Sequence, residues 1–189
     1  MLAALSGGLR RVSDWRSILL VLLLYNIFLM QVMAPHAEEM SSFAGDWGAP
    51  DGHLFYTPDK LYSELATWGD AGRQHYVDFR LGLDPVWALL YTAFLVTTIS
   101  VAMRRIYPPE SRMQLTNLLP LIPMLADLAE NFMGIALVSA FPARMDWLAW
   151  IAATTSSIKW VTLTVGHLVM LVAISAAIWI ALRARFMPD

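Results

Sequence analysis

The chain has 189 residues, of which 58% are hydrophobic, and its formal net charge is −2. A charge this close to balance gives no indication of a nucleic-acid partner. Because the sequence contains no cysteine, disulfides, thiolate nucleophiles, cysteine-ligated zinc and iron–sulfur clusters are excluded. The apolar residues are gathered into long blocks, which is typical of chains that cross a bilayer. With no internal repeat or low-complexity linker, residues 1–189 are interpreted as a single membrane domain.

Four apolar blocks predict the transmembrane helices, since one crossing needs about 20 mostly apolar residues. The blocks cover residues 17–34, 85–103, 117–141 and 160–182. The first follows several arginines and would also suit a secretory signal peptide, but we expect it to be retained as a membrane anchor. The predicted fold is an all-α integral membrane protein: a four-transmembrane-helix bundle with a helical extracytoplasmic segment, residues 35–84, between helices 1 and 2.

Basic residues predict the orientation, because cytoplasmic loops carry an excess of Lys and Arg. Eight arginines lie before the first block, between the second and third, or after the last: Arg10, Arg11, Arg16, Arg104, Arg105, Arg112, Arg183 and Arg185. The segments on the other side carry Lys60, Arg73, Arg80 and Arg144. We therefore expect a multi-pass cell-membrane protein, in a bacterial inner membrane, with both termini in the cytoplasm.

The outer segment has a helix start signal at Thr57-Pro58-Asp59, where a hydroxyl cap precedes a proline and an acid of the first turn. Apolar residues follow at helical spacing up to Gly69, namely Leu61, Tyr62, Leu65 and Trp68. A second short helix is predicted over residues 71–80. This stripe suits a helix on the membrane surface or over the ends of the spans. The segment is therefore expected to be a lid, a docking surface or a structural cap.

The third block contains polar residues inside an apolar span, where they are functional-site hypotheses by default. Asp127, Glu130 and Asn131 are spaced at i, i+3 and i+4, so they share one helix face. Two acids and an amide on one face should point toward other helices or a wet cavity. Pro120 and Pro123 are expected to bend the helix just before them.

Two layers of polar residues are predicted when depth is counted from the cytoplasmic ends at about 1.5 Å per residue. The inner layer, about 15–22 Å deep, contains Asn26, Gln31, Tyr91, Asp127, Glu130, Asn131 and His167. The outer layer contains Arg80, Asp84, Ser156, Ser157 and Lys159.

The inner layer has the residue types of general acid–base chemistry. Two nearby carboxylates can serve as acid and base, and an imidazole can exchange protons with them. The candidate catalytic residues are therefore Asp127, Glu130 and His167. The candidate substrate contacts are Asn131, Tyr91, Asp84, Lys159 and Trp68. The alternative is that these groups only hydrogen-bond the helices to one another.

Other motifs are weaker. Ser156 and Lys159 have the spacing of a serine–lysine nucleophile pair, but Lys159 is expected to reach the outer headgroups or to pair with Asp84. No cofactor is implied. No metal site is expected either, because the available ligands of the outer region lack a compact spacing; they are His36, Glu38, Glu39, His53 and His75.

The plan of four spans with a long outer segment after the first, and with the acids Asp127 and Glu130 inside the bundle, resembles that of emopamil-binding and sterol-isomerase-like membrane proteins. A site with apolar walls and a few convergent polar groups is suited to a hydrophobic ligand. The leading hypothesis is therefore a protein that binds or transforms a lipid-like hydrophobic substrate, with membrane lipid as its partner.

The alternative hypothesis is a non-catalytic accessory subunit of a larger respiratory or photosynthetic membrane complex, with other membrane proteins as partners. Its Met- and Trp-rich spans would then be packing surfaces. The sequence has no Gly-rich phosphate loop, no His-Glu-x-x-His zinc helix and no Gly-x-Ser-x-Gly elbow, so whether the chain is an enzyme stays open. A proton- or ion-coupled carrier is a lesser alternative.

Overall fold

The computed structural model describes residues 1–186, and within that range the chain is helical, without a strand. The α-helices are α1 (Leu2–Val12), α2 (Trp15–Phe28), α3 (Ala34–Ala44), α4 (Pro58–Leu65), α5 (Gly69–Gly82), α6 (Asp84–Ile106), α7 (Leu121–Ala140) and α8 (Asp146–Phe186). Short 3-10 helices cover Gly45–Trp47, Pro50–Gly52 and Arg112–Leu118. The all-α prediction is confirmed.

Within the described residues, four helical stretches are long and apolar enough to cross a membrane, as predicted. They are Trp15–Trp47, Asp84–Ile106, Arg112–Ala140 and Asp146–Phe186. Much of their apolar surface is exposed: α2 has no buried residue, and Leu23, Ile151 and Val172 all present their side chains outward. Exposing so much apolar surface to water is energetically unfavourable, whereas exposing it to lipid is not.

The first of these stretches continues beyond residue 34, where the sequence predicted its end. Pro35 has no backbone N–H to donate, and the π turn at Leu29–Met33 accommodates it, so α2 continues into α3. The helix ends at Gly45, whose φ of 56° favours glycine. His36 and Glu39 therefore lie on a helix and not in a loop.

The helix of the last stretch begins at Asp146, before the apolar block of residues 160–182 that the sequence predicted as the span. Ser156, Ser157 and Lys159 lower the hydropathy of this segment without ending the helix. In the third stretch, the 3-10 helix Arg112–Leu118 gives way to α7 around Pro120, before the polar face, where the sequence predicted a bend. Pro120 and Pro123 lie at the beginning of α7, where a missing N–H costs little.

The chain forms two compact units. Unit 1 comprises Met1–Tyr25, Leu90–Ile122 and the described residues from Thr162 onward. Unit 2 comprises Asn26–Leu89 and Pro123–Val161. The outer segment and the polar face of the third span both belong to unit 2.

Unit 1 has a polar interior that ties α1 to the 3-10 helix Arg112–Leu118. The Ser6 hydroxyl donates to the carbonyl of Gln114 at 3.1 Å. The Asn117 amide donates to the Ser6 carbonyl at 3.3 Å and to the Ser100 hydroxyl at 2.9 Å. These side chains are buried, so the bonds replace the water that the polar groups lose.

Unit 2 has a hydrophobic core to which the outer segment contributes. Thr57 caps α4 as predicted, since its hydroxyl accepts from the Lys60 N–H at 3.2 Å. The apolar stripe of α4 and the following turn is buried with residues of α7 and α8; the set includes Leu61, Tyr62, Leu65, Trp68, Leu137, Val138, Ala149, Ala152 and Ala153. The chain's own helices therefore cover the stripe, as a structural cap requires.

Gly134 allows α7 to approach Tyr76 of α5. A Cβ built at Gly134 would lie 3.3 Å from Cζ of Tyr76 and closer still to its hydroxyl oxygen. Because Tyr76 is buried, we expect Gly134→Ala to lower the free energy of unfolding by about 1–3 kcal/mol, despite the better helix propensity of alanine. Gly166→Ala on α8 is the control, since its nearest contact would be 3.7 Å away. Equal stability of the two variants in a denaturant titration would contradict this prediction.

Candidate functional site

Arg80 is the centre of one half of a buried charged cluster in unit 2. Its guanidinium forms ion pairs with Asp51 and, at 3.0 Å, with Asp84. It also donates to the side-chain oxygen of Asn131 at 3.0 Å, and the Asn131 amide donates to Asp84 at 2.5 Å. Arg80 lies in the last turn of α5 and Asp84 begins α6. The short break between these helices therefore sets the ion pair, and α7 supplies the amide.

Lys159 of α8 is the centre of the other half. Its ammonium lies 2.7 Å from the Glu130 carboxylate and 3.4 Å from that of Asp127. The two acids face the same partner because they are three residues apart on α7. Lys159 is also 4.0 Å from the Asp51 carboxylate, so Asp51 joins the two halves. With Lys159 only 5% exposed and Glu130 2% exposed, the network is inside the protein.

Hydrogen bonds from α8 position Asp51. Lys159 Nζ and Trp160 Nε1 both donate to the backbone carbonyl of Asp51, at 3.0 and 2.9 Å. Ser156 and Ser157 donate their hydroxyls to two further carbonyls of the same loop, at 2.6 and 2.7 Å. One face of α8 thus holds the loop in place. Both serine hydroxyls bind backbone, so this geometry gives no support to a serine–lysine nucleophile.

The cluster has more acids than bases. Its six charged members are Asp51, Asp84, Asp127, Glu130, Arg80 and Lys159. Four carboxylates and two cations leave two surplus negative charges when all are ionised. Oε1 of Glu130 is buried and accepts no hydrogen bond from the described residues. Because unbalanced buried charge is costly, bound protons or a cationic ligand must offset the surplus.

The Asp51–Arg80 pair lies outside the apolar helices and stays ionised. Burial alone would raise the pKa of Asp51, but the Arg80 guanidinium and the Lys159 ammonium outweigh it and hold this pKa well below its ordinary value. Burial opposes the charge on Arg80, whereas Asp51 favours it, and the pKa of Arg80 lies above its ordinary value. The stabilisation from Asp51 is thus present above the ordinary carboxyl pKa and is lost only in stronger acid.

A cavity of about 270 Å³ opens onto the Arg80 half of the cluster. The charged residues of its lining are Asp51, Arg80 and Asp84. Most of the remaining wall is apolar or aromatic and includes Met33, His36, Met40, Trp47 and Phe79. Apolar walls with a few convergent polar groups are typical of small-molecule sites. The volume suits a headgroup or a short chain segment.

The structure brings most of the sequence-predicted site residues together. The cluster contains Asp84, Asp127, Glu130, Asn131 and Lys159. Trp68 is in the same unit, buried against Tyr76 with ring centroids 5.5 Å apart. Tyr91 and His167 belong to unit 1. There, Nδ1 of His167 lies 2.9 Å from the carbonyl of Leu163. Their proposed catalytic and substrate roles stay predictions.

Two sequence-based expectations about this region are wrong. Lys159 does not reach the headgroups, because it is buried between carboxylates. The separation into an inner and an outer layer also fails here, since Arg80 and Lys159 of the outer layer share one network with Glu130 of the inner layer.

Sequence reasoning missed Asp51 and did not select Arg80 as a site residue. Asp51 lies in a Pro-Asp-Gly turn, a composition that any surface turn can have. Arg80 gave a weak signal, since it is the basic residue four positions before Asp84 at a helix junction. The Pro50-Asp51-Gly52 turn has no sequence pattern that could place it beside α8.

Comparisons of the chain with protein-family models, with curated proteins and with solved structures give no match. The resemblance in layout to emopamil-binding and sterol-isomerase-like proteins therefore stays a prediction. The functional argument depends on the chemistry of the cluster and its cavity.

Proposed function

We propose that the chain is a multi-pass membrane protein whose four apolar stretches form a transmembrane bundle, with both termini in the cytoplasm of a bacterial cell. The exposed apolar surface of these stretches supports insertion. The arginines near residues 10–16, 104–112 and 183–185 support this orientation.

Single added cysteines can test the orientation, because the chain has none of its own. Asp70 in the outer segment and Glu110 between α6 and α7 are both exposed. In intact cells, an impermeant maleimide is expected to label Asp70→Cys and to label Glu110→Cys only after permeabilisation. Labelling of Glu110→Cys in intact cells would contradict the proposed topology.

The cavity of unit 2 receives the polar end of a lipid-like molecule, which the protein binds or transforms. The observation that carries this proposal is the mostly apolar cavity whose lining includes Asp51, Arg80 and Asp84. Arg80 offers hydrogen-bond donors and the acids offer acceptors, so a polar headgroup can bind while its chain contacts Met33 or Phe79. Behind the charged residues of the lining, Asp127 and Glu130 share the single ammonium of Lys159, so the pair can hold or supply a proton.

Ligand retention tests this proposal through Asp84→Asn. The amide keeps an oxygen for Arg80 but removes a charge from the cavity lining, so we expect at least a tenfold loss of the lipid-like molecule that co-purifies with the wild-type protein. Native mass spectrometry of mildly extracted protein measures the occupancy. Asp78→Asn, on the exposed side of α5, is the control and is expected to retain the ligand. Equal ligand occupancy in the wild-type protein, Asp84→Asn and Asp78→Asn would contradict the proposal.

A second candidate function is that of an accessory subunit in a larger membrane complex. The observation in its favour is that α2 buries none of its residues within the described chain, which leaves a long apolar helix for a partner. Purification at native expression separates the two candidates. A stoichiometric set of co-migrating membrane proteins would favour the subunit, and a lone protein with bound lipid would favour the binding or transforming protein.

A further inference from the structure

Three polar residues of unit 2 outside the ion network form a chain that ends at the cavity. Nε2 of His75, on α5, lies 3.0 Å from Nδ1 of His36, on α3. Nδ1 of His75 lies 3.4 Å from Oε1 of Glu39. His36 lines the cavity, whereas the Glu39 side chain is 60% exposed. The three side chains therefore connect the protein surface to the cavity.

Ring contacts fix the orientation of both imidazoles. The His36 ring stacks on Phe79, with centroids 3.4 Å apart and an interplanar angle of 6°. Its plane lies within 20° of that of the His75 ring, with centroids 4.9 Å apart, as the nitrogen–nitrogen contact at the ring edges requires. Phe43 contacts His75 with a centroid distance of 5.7 Å. Rings held in this way keep their nitrogens aligned without the cost of ordering them for each transfer.

The geometry is that of a relay and not of a metal chelate. Glu39 lies beside Nδ1 of His75, whereas His36 lies beside Nε2, so the three side chains do not converge on one point. Within residues 1–186, no group of three or more His, Asp or Glu side chains could hold a metal ion. Each nitrogen of His75 faces a different partner, which is the arrangement that lets an imidazole pass a proton through.

We propose that Glu39, His75 and His36 carry protons between the protein surface and the cavity. In one state His36 donates Nδ1–H to Nε2 of His75, and the Nδ1–H of His75 faces the Glu39 carboxylate at 3.4 Å. When a proton from the cavity binds Nε2 of His36, the Nδ1 proton passes to His75. The Nδ1 proton of His75 passes to Glu39 and then to water. Both rings finish as the opposite tautomer, and the reverse sequence restores them without a co-reactant.

The relay ends at the cavity, next to the charged cluster, where the excess of carboxylates favours bound protons. The charged and titratable groups around His36 come from its own helix, from α5, from the 49–53 loop and from α6: Glu39, His75, Arg80, Asp51, His53 and Asp84. The four cluster carboxylates share two cations, so proton exchange with the cavity adjusts the net charge of the site. The relay goes beyond ligand binding and does not depend on it.

Nuclear magnetic resonance of ¹⁵N-histidine-labelled protein in lipid nanodiscs tests the relay. The readout is the rate at which the His36 ring N–H exchanges with water. We expect His75→Gln to slow this exchange at least tenfold, because Gln cannot pass a proton through. Glu39→Gln, an exposed change that leaves the core intact, is expected to slow it several-fold and to shift the tautomer signals of both His36 and His75. Glu38→Gln, a change at the exposed neighbour on α3, is the control. It should change neither the exchange rate nor the tautomer signals.

Unchanged His36 exchange in His75→Gln and Glu39→Gln would overturn the relay, because water in the cavity would then exchange with the ring directly. Equal effects of Glu38→Gln and Glu39→Gln would also overturn it, since only surface charge would then matter. Ligand occupancy measured on the same preparations separates this test from the proposed function. The exchange test can contradict the relay while ligand binding persists. Ligand binding can also be absent while the exchange test supports the relay.

Discussion

Replacing Lys159 with Met is expected to lower the free energy of unfolding by about 3–5 kcal/mol, because removing one partner of a buried ion pair leaves an uncompensated charge. Met keeps the length and apolar stem of the lysine but removes the ammonium. That ammonium lies 2.7 Å from Glu130 and 3.4 Å from Asp127. The cluster already has surplus negative charge, so losing a cation leaves three uncompensated carboxylates. Denaturant titration in bicelles measures the change.

Lys60→Met is the matched control. Lys60 pairs with Glu64 on α4, but its side chain is 49% exposed, so we expect a change within about 0.5 kcal/mol. Combining Lys159→Met with Glu130→Gln should recover part of the lost free energy of unfolding, because the double variant no longer buries the Glu130 carboxylate charge. A coupling of about 1–3 kcal/mol between the two sites is expected for residues in one network. If Lys159→Met and Lys60→Met cost the same, Lys159 is not part of a buried ion network.

The predictable part of this site is the part encoded by local spacing. Asp127, Glu130 and Asn131 lie on one face because the helix repeats every 3.6 residues, and a hydrocarbon environment forces such a face inward. The same local reasoning placed the Thr57 cap and the apolar stripe of α4. These features depend on residues within about two turns of one another, so the sequence contains them directly.

Helix boundaries were less predictable, because hydropathy and helix formation are different properties. Pro35 and the acids after it end an apolar run, yet a π turn lets the helix continue. Ser156 and Lys159 interrupt another run, yet their polar groups find partners inside unit 2. In both places the helix extends beyond the apolar block.

The partners across the cluster could not be predicted from spacing. Asp51, Arg80 and Lys159 are far apart in the sequence, and only the fold brings them into one network. Nothing in a Pro-Asp-Gly turn distinguishes an acid that is held by α8 from one that faces water. The hydrogen bonds that fix Asp51 come from the Lys159 and Trp160 side chains to its backbone. Side-chain bonds to backbone leave no signature in the sequence of the loop.

Glu130→Gln and Asp127→Asn are expected to separate function from stability. Each change removes one surplus negative charge and keeps a hydrogen-bonding side chain of the same shape. The free energy of unfolding should therefore stay the same or rise by about 1–2 kcal/mol, the order of the cost of an unsatisfied buried polar group. Occupancy of the co-purified lipid-like molecule should fall at least tenfold, because the proton balance behind the cavity changes.

Glu130→Gln should have the larger effect of the two, since Glu130 lies closer to Lys159 and has an oxygen without a hydrogen bond among the described residues. Thermal stability and ligand occupancy need to be measured on the same preparations, so that a misfolded variant is not mistaken for an inactive one. A rise in stability together with a loss of ligand would mean that the surplus charge lowers stability and is needed for ligand binding. Polar groups at functional sites often lower stability in this way. If both variants keep full occupancy and lose stability, the cluster only holds the helices together. The accessory subunit would then become the better explanation of this chain, with the exposed face of α2 as the surface to test for a partner.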